Sequence, residues 1–154
     1  MAIENFPSNC SNQISAISFD YGTHRIGVAF GQSISGTTKS ITILKAKDGI
    51  PDWDIVKKLV EKWSPDVFVV GMPYKLDGTD GKILSRAQKF ANRLNGRFGI
   101  PAFGMDERLS SKEAITRASN ENINGKKSVG IDDIAAQIIL ENWLKGYREH
   151  SSNF

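Results

Sequence analysis

The stretch SFDYGTHRIGVAF, from Ser18 to Phe30, decides how the rest of the chain is read. Ile14, Ala16 and the run Ile17 to Phe19 make an apolar strand that ends on an acid, Asp20. Gly22 follows, and without a Cβ it is expected to take the positive φ that a tight hairpin often requires. Beyond the turn, Ile26, Val28 and Phe30 alternate with Gly27, Ala29 and Gly31, the period of two that marks a second strand. A carboxylate thus stands at a strand end beside a Gly-rich turn. The rigid sheet fixes the acid while the turn leaves room, which suits a metal ion or a phosphate-facing site. An Asp in such a place can equally accept hydrogen bonds from turn amides, and this stretch alone leaves both roles open.

Working outward, Ser33 to Lys39 has turn composition and Ser40 to Leu44 alternates as a third strand, so the chain opens as an antiparallel meander. Pro51 and Asp52 open a helix carrying Trp53, Val56, Leu59, Val60 and Trp63 at helical spacing, closed by Ser64 and Pro65. Four consecutive apolar residues, Val67 to Val70, ahead of a Gly and Pro stop mark a central strand covered on both faces. The loop KLDGTDG leads to a helix from about Asp80 to Asn95, with Ile83, Leu84, Ala87, Phe90, Ala91 and Leu94 inward. Ile100 to Met105 form another strand, which runs into Asp106, Glu107 and Arg108. Ser110 with Glu113 fits a capping box for a short helix to about Ala118, and Glu121 to Gly130 reads as a polar, flexible connection. The last helix is expected from Ile131 to about Tyr147. Helical crossovers make the later strand pairings parallel. The expected architecture is one α/β domain over 14–147, built on a mixed five-stranded sheet flanked by helices. Residues 1–13 read as a loosely ordered leader and 148–154 as a frayed tail.

Composition narrows the function classes. The chain has 154 residues, 40% of them hydrophobic, enough for a real core. No apolar run approaches the roughly 20 residues that span a bilayer, and the opening lacks a signal-peptide pattern, so a cytoplasmic location without membrane contact is expected. Cys10 is the only cysteine, which excludes an internal disulfide and a zinc-type cluster. A metal would therefore bind oxygen ligands. Twenty Lys and Arg against seventeen Asp and Glu give a formal charge of +3, which permits a polyanionic partner.

Two further acidic stretches sit where ligands gather. Asp106, Glu107 and Arg108 follow a strand end in the parallel part of the sheet, although a charged turn supporting the next helix has the same appearance. In GIDDIAAQIILENWL, Gly130 to Leu144, Asp132 shares a helical face with Ala135 or Ala136, Ile139 and Trp143, while Asp133 points about a hundred degrees away. An acid on an inward face needs a partner, a hydrogen bond or a metal, so Asp132 is the better ligand candidate.

These stretches, in this order, resemble the YqgF family of presumed pre-16S rRNA nucleases, related to Holliday junction resolvases of the RNase H-like superfamily. FDYGTHRIGVA resembles the family's first-strand signature, VVGMPYKLDGTDG its Val-Gly-x-Pro loop, DERLSSKEA its Asp-Glu-Arg-Leu segment and IDDIAAQIIL its terminal helix. The match spans about Ile14 to Leu144. The resemblance implies an RNase H-like fold and a metal-dependent endonuclease maturing the 5′ end of precursor 16S rRNA. It implies an acidic site of Asp20, Glu107 and Asp132, with Asp106 as an additional ligand, holding Mg²⁺ or Mn²⁺. Two such ions about 3.5–4 Å apart can activate water and neutralise the leaving oxygen. The expected partner is nucleic acid, RNA ahead of structured DNA, with a pre-ribosomal particle as the setting and a monomer or homodimer as the assembly.

Arg25 and Arg108 are candidate phosphate contacts or restraints on the acids, with surface salt bridging as the plain alternative. Lys82, Arg86, Lys89, Arg93 and Arg97 recur at helical steps with no acid between them, a basic stripe that is either a phosphate track or a solvated helix face. Tyr74 and Lys75 could stack on and contact a single strand. Three other readings compete: a Holliday junction resolvase acting on DNA, a non-catalytic nucleic-acid-binding protein, and an ATP-binding protein of the actin and sugar-kinase type. The chain is short for the last, and Gly125, Lys126 and Lys127 lack the earlier Gly of a phosphate loop at Asn120.

Overall fold

The computed structural model describes residues 6–7, 13–72, 81–106 and 131–151. The strands are β1 (Ser15–Asp20), β2 (Arg25–Gln32), β3 (Thr38–Lys47), β4 (Ile50–Pro51), β5 (Val67–Met72) and β6 (Ala102–Asp106). The helices are α1 (Trp53–Trp63), α2 (Lys82–Phe98) and α3 (Ile131–Ser151). The sheet order is β4-β3-β2-β1-β5-β6. β1, β2 and β3 pair antiparallel, whereas β5 lies parallel to β1 and β6 parallel to β5. The expected meander followed by parallel strands is present, with six strands rather than five. The sixth is β4, which pairs only through Ala46–Pro51 and Lys47–Ile50. Its turn uses two left-handed residues, Asp48 at φ 53° and Gly49 at φ 80°. Pro51 therefore belongs to β4, and the helix starts at Trp53, with Asp52 as its N-cap and the Asp52 carboxylate accepting from the Asp54 amide at 3.0 Å. The other helices also run further than expected, α2 to Phe98 and α3 to Ser151.

Each face of the sheet buries its own cluster. Ile17 and Phe19 of β1, Ile26 and Val28 of β2, and Phe68, Val70 and Met72 of β5 pack against α1 and α2. Ala16, Ala29, Val67 and Val69 face α3, through Ala136, Ile139, Leu140, Trp143, Leu144 and Tyr147. β5 is buried on both faces, as a continuous apolar run requires. The α3 side of β1 and β2 is built from small residues, so the helix lies close, and a Cβ on Gly31 would stand 3.0 Å from Leu140 Cδ2.

Gly22 corrects one expectation. The positive-φ glycines among the described residues are Gly36, Gly49 and Gly99, so Gly22 has no left-handed backbone. The glycine is needed because a Cβ would collide with the carbonyl oxygen of Arg25.

The turn after β3 is locked to the loop after β1. Gly49 N donates to Thr23 O and Ala46 N to His24 O, each at 2.8 Å, while the Tyr21 hydroxyl occupies the place a Gly49 Cβ would take. Gly49→Ala combines a strained φ with that collision and should cost about 2 kcal/mol. Gly96, in α2 with open space around it, should gain about 0.5–1 kcal/mol as Ala. Urea unfolding of the two variants should show opposite shifts in midpoint.

Candidate active site

The second half of β1 and the second turn of α3 are joined by a polar contact in the dry interior. Ser18 is fully buried, and its Oγ donates to the Ala136 carbonyl at 2.7 Å. A hydroxyl in such a place must find a partner, and the adjacent helix supplies it. The contact fixes relative height: Asp20 lies two residues further along β1, and Asp132 one helical turn earlier on α3. Strand alternation puts Asp20 with Ala16 and Ser18 on the α3 side. The backbone thus carries positions 20 and 132 to the same end of the same face. Asp20 is half-buried.

Asp106 ends β6, paired with Met72 at the same edge of the sheet. Phe103 and Met105 pack on the α3 side and Ala102 on the other, so the register gives Asp106 to the α2 face. It is two strands from Asp20, about 10 Å by strand spacing. Opposite faces and that separation count against Asp106 as a ligand sharing one ion with Asp20. Glu107, Arg108, Tyr74, Lys75, the capping box at Ser110 with its short helix and the connection 121–130 lie outside the described residues, as do the side chain of Asp132 and most of the leader. Among the described residues, no three His, Cys, Asp or Glu side chains converge as metal ligands. No described helix is long and apolar enough to cross a membrane.

A family model described as RuvX, Holliday junction resolvase, matches residues 14–146. The chain belongs to the RuvX family. It is the family that the four motifs resemble. A RuvX relative from Mannheimia succiniciproducens is 46% identical over 136 residues, covering 86% of this chain and 95% of its own. One from Pectobacterium atrosepticum is 48% identical over 132 residues, covering 84% and 94%. Both are named as candidate pre-16S rRNA nucleases. Among solved structures, T. thermophilus RuvC in complex with Holliday junction substrate aligns with a TM-score of 0.55 at 11% identity, covering 90% of this chain and 96% of that one. The yeast mitochondrial resolvase Ydc2 aligns at 0.54 and 12%, covering 96% and 85%. At such identities the likeness establishes the RNase H-like fold.

In this RuvX chain the basic stripe lies on α2, across the sheet from α3. Lys82, Lys89 and Arg93 are exposed. Arg86 pairs with Asp48 at 2.9 Å, and Arg97 lies over the Trp53 ring at 4.3 Å. The Arg86 and Asp48 side chains are 42% and 75% exposed, so their ion pair contributes at most about 1 kcal/mol. The stripe and Asp20 therefore belong to different surfaces. Sequence reasoning missed Ser18, for which the available signal was a polar residue inside a buried strand.

Tyr21, next to Asp20, turns to the α2 side against Phe90. Burial pushes its phenol above the ordinary value; the Arg86 and Arg93 charges oppose that shift, and Asp48 adds to it. The unfolded chain releases this proton first, so the contribution to stability is intact below about pH 10 and is lost as pH rises through the folded value. Chemical unfolding between pH 8 and 11 should show stability falling on the alkaline side, and Tyr21→Phe should flatten that fall.

Proposed function

We propose that this chain is a metal-dependent endonuclease hydrolysing phosphodiester bonds in precursor 16S rRNA, at the 5′ end. The observation that carries this reading is the Ser18–Ala136 contact, which aligns positions 20 and 132 at one end of one sheet face. Substrate class is drawn from the relatives at 46% and 48% identity and their names. The donor set is all carboxylate, the hard oxygen chemistry that Mg²⁺ and Mn²⁺ favour, so the residues fit the ion. Asp20, Glu107 and Asp132 are assigned to hold it. When bound, such an ion lowers the pKa of water and neutralises charge on the phosphate and leaving oxygen.

The chain's own contribution is positioning. A strand end holds Asp20 at a fixed place, and the buried layer of Ser18, Ala136 and Ile139 keeps the sheet dry behind it. Arg25, on the same face by its register with Gly27, is assigned to a phosphate oxygen. The proposed setting is cytoplasmic, on a pre-ribosomal particle. A second reading, cleavage of four-way DNA junctions, is favoured by the family description and needs paired symmetric cuts from a dimer.

The experiment compares cleavage of a precursor 16S rRNA fragment and of a four-way DNA junction in Mg²⁺, Mn²⁺ or EDTA. Wild type should cut the RNA only with metal. Asp20→Asn and Asp132→Asn should keep the melting temperature and lose about a hundredfold or more in rate, since one ligand is removed at each. A variant that cuts as fast as wild type retires its residue from the site. Symmetric junction cutting with intact RNA would select the resolvase, and tight binding without turnover in any metal would select a non-catalytic binder.

A further inference from the structure

Arg25 of β2 and Lys45 of β3 are cross-strand partners, which sets two cations side by side on one face of the sheet. Both are exposed, and Lys47, two residues further on the same face, is exposed as well. Their face is set by an irregularity. Ala29 pairs with Ser40 and Val28 with Thr42, which leaves Ile41 as an extra residue in β3. Before it, Thr38 and Ser40 face α3, bonded to Glu141 and Gln137, while Lys39 faces the other way over Trp63 at 5.2 Å. After it, Leu44 and Ala46 take the α1 and α2 side. Lys45 and Lys47 therefore come to the α3 side, where an unbroken strand would have sent them to the opposite one.

That side is the side of Asp20. The row across the sheet at its level is Asp20, Gly27, Ile43, and the next row outward is Arg25 and Lys45. Gly27 contributes no side chain, so nothing projects from β2 between the acid and Ile43. The nearest carboxylate along β3's continuation, Asp48, is engaged by Arg86 of α2. Lys45 and Lys47 have no ion pair among the described residues.

We propose that Arg25, Lys45 and Lys47 form a track for the phosphodiester backbone, running from Asp20 across β2 to β3. The proposal rests on the nucleic-acid substrate of the preceding reading and says where that substrate lies. Bulges re-aim side chains beside active sites, and the cations so aimed, Lys45 and Lys47, stand in line with Arg25 on the side of Asp20, where a phosphate can take charge-assisted hydrogen bonds from them.

The test is fluorescence anisotropy with a fluorescein-labelled precursor 16S rRNA fragment and a labelled four-way DNA junction, in EDTA, from 50 to 200 mM salt. Lys45→Ala with Lys47→Ala should weaken binding about tenfold or more and lower the slope of log K against log salt by about 1.4–1.8, the loss of two phosphate contacts. Lys39→Ala, the same charge on the same strand across the bulge, should leave the slope unchanged. Wild-type binding with no change in the double variant, or an equal loss in Lys39→Ala, overturns the track and leaves the nuclease reading standing. Failure of wild type to bind either probe overturns both.

Discussion

Ser18 Oγ donates to the Ala136 carbonyl at 2.7 Å from a fully buried side chain, tying the last helix to the first strand across 118 positions of sequence. Apolar packing alone would let a helix slide on a sheet of small residues, because hydrophobic contact has no fixed register. A directed hydrogen bond does have one. It selects one height for α3, and through it the level at which the helix's first turn meets the end of β1. The large residues below, Trp143 and Tyr147 stacked at 5.3 Å, then fill the remaining space at that height. Fold and candidate site thus share this buried point of registration, which the hydrogen bonds of Gln137 and Glu141 to β3 reinforce at the sheet's edge.

The two faces of the sheet divide the work. Toward α1 and α2 the contacts are aromatic, with Phe90 touching Phe19, Tyr21 and Trp53 at 5.3–5.8 Å. That side secures the loop after β1 from beneath, through Tyr21 and Gly49. The α3 side is lined by Ala16, Ala29 and glycines, which keeps it thin and lets backbone approach closely. A bulky inner face supporting a slender outer one lets a rigid strand end carry an accessible acid.

Much of this was legible in the chain. The apolar run of β5 and the inward stripe of α2 appear in the sequence because period and composition act locally. The same holds for the acid closing β1. β4 did not, since a two-residue strand leaves no periodic signal and exists only through its pairing with β3. The role of Gly22 was misread for a similar reason: what excludes a side chain there is the Arg25 carbonyl, a tertiary neighbour rather than a local dihedral. Asp106 entered as an additional ligand beside Glu107, and only the register of β6 assigns Asp106 a face. The cations on β3 were hidden altogether, because the extra residue at Ile41 inverts the alternation that a reader of the sequence would extend.

β3 has a further property. Its outer edge meets β4 only at Ala46 and Lys47, so from Thr38 to Lys45 it has no strand neighbour among the described residues. Bare edges invite pairing with other chains, and natural sheets guard them with charge. Lys39 and Lys45 are such guards, and the Gln137 amide adds a cap on the Thr38 carbonyl at 3.3 Å. On the proposed track Lys45 carries both roles, edge protection and substrate affinity, so selection cannot relax one there without exposing the other.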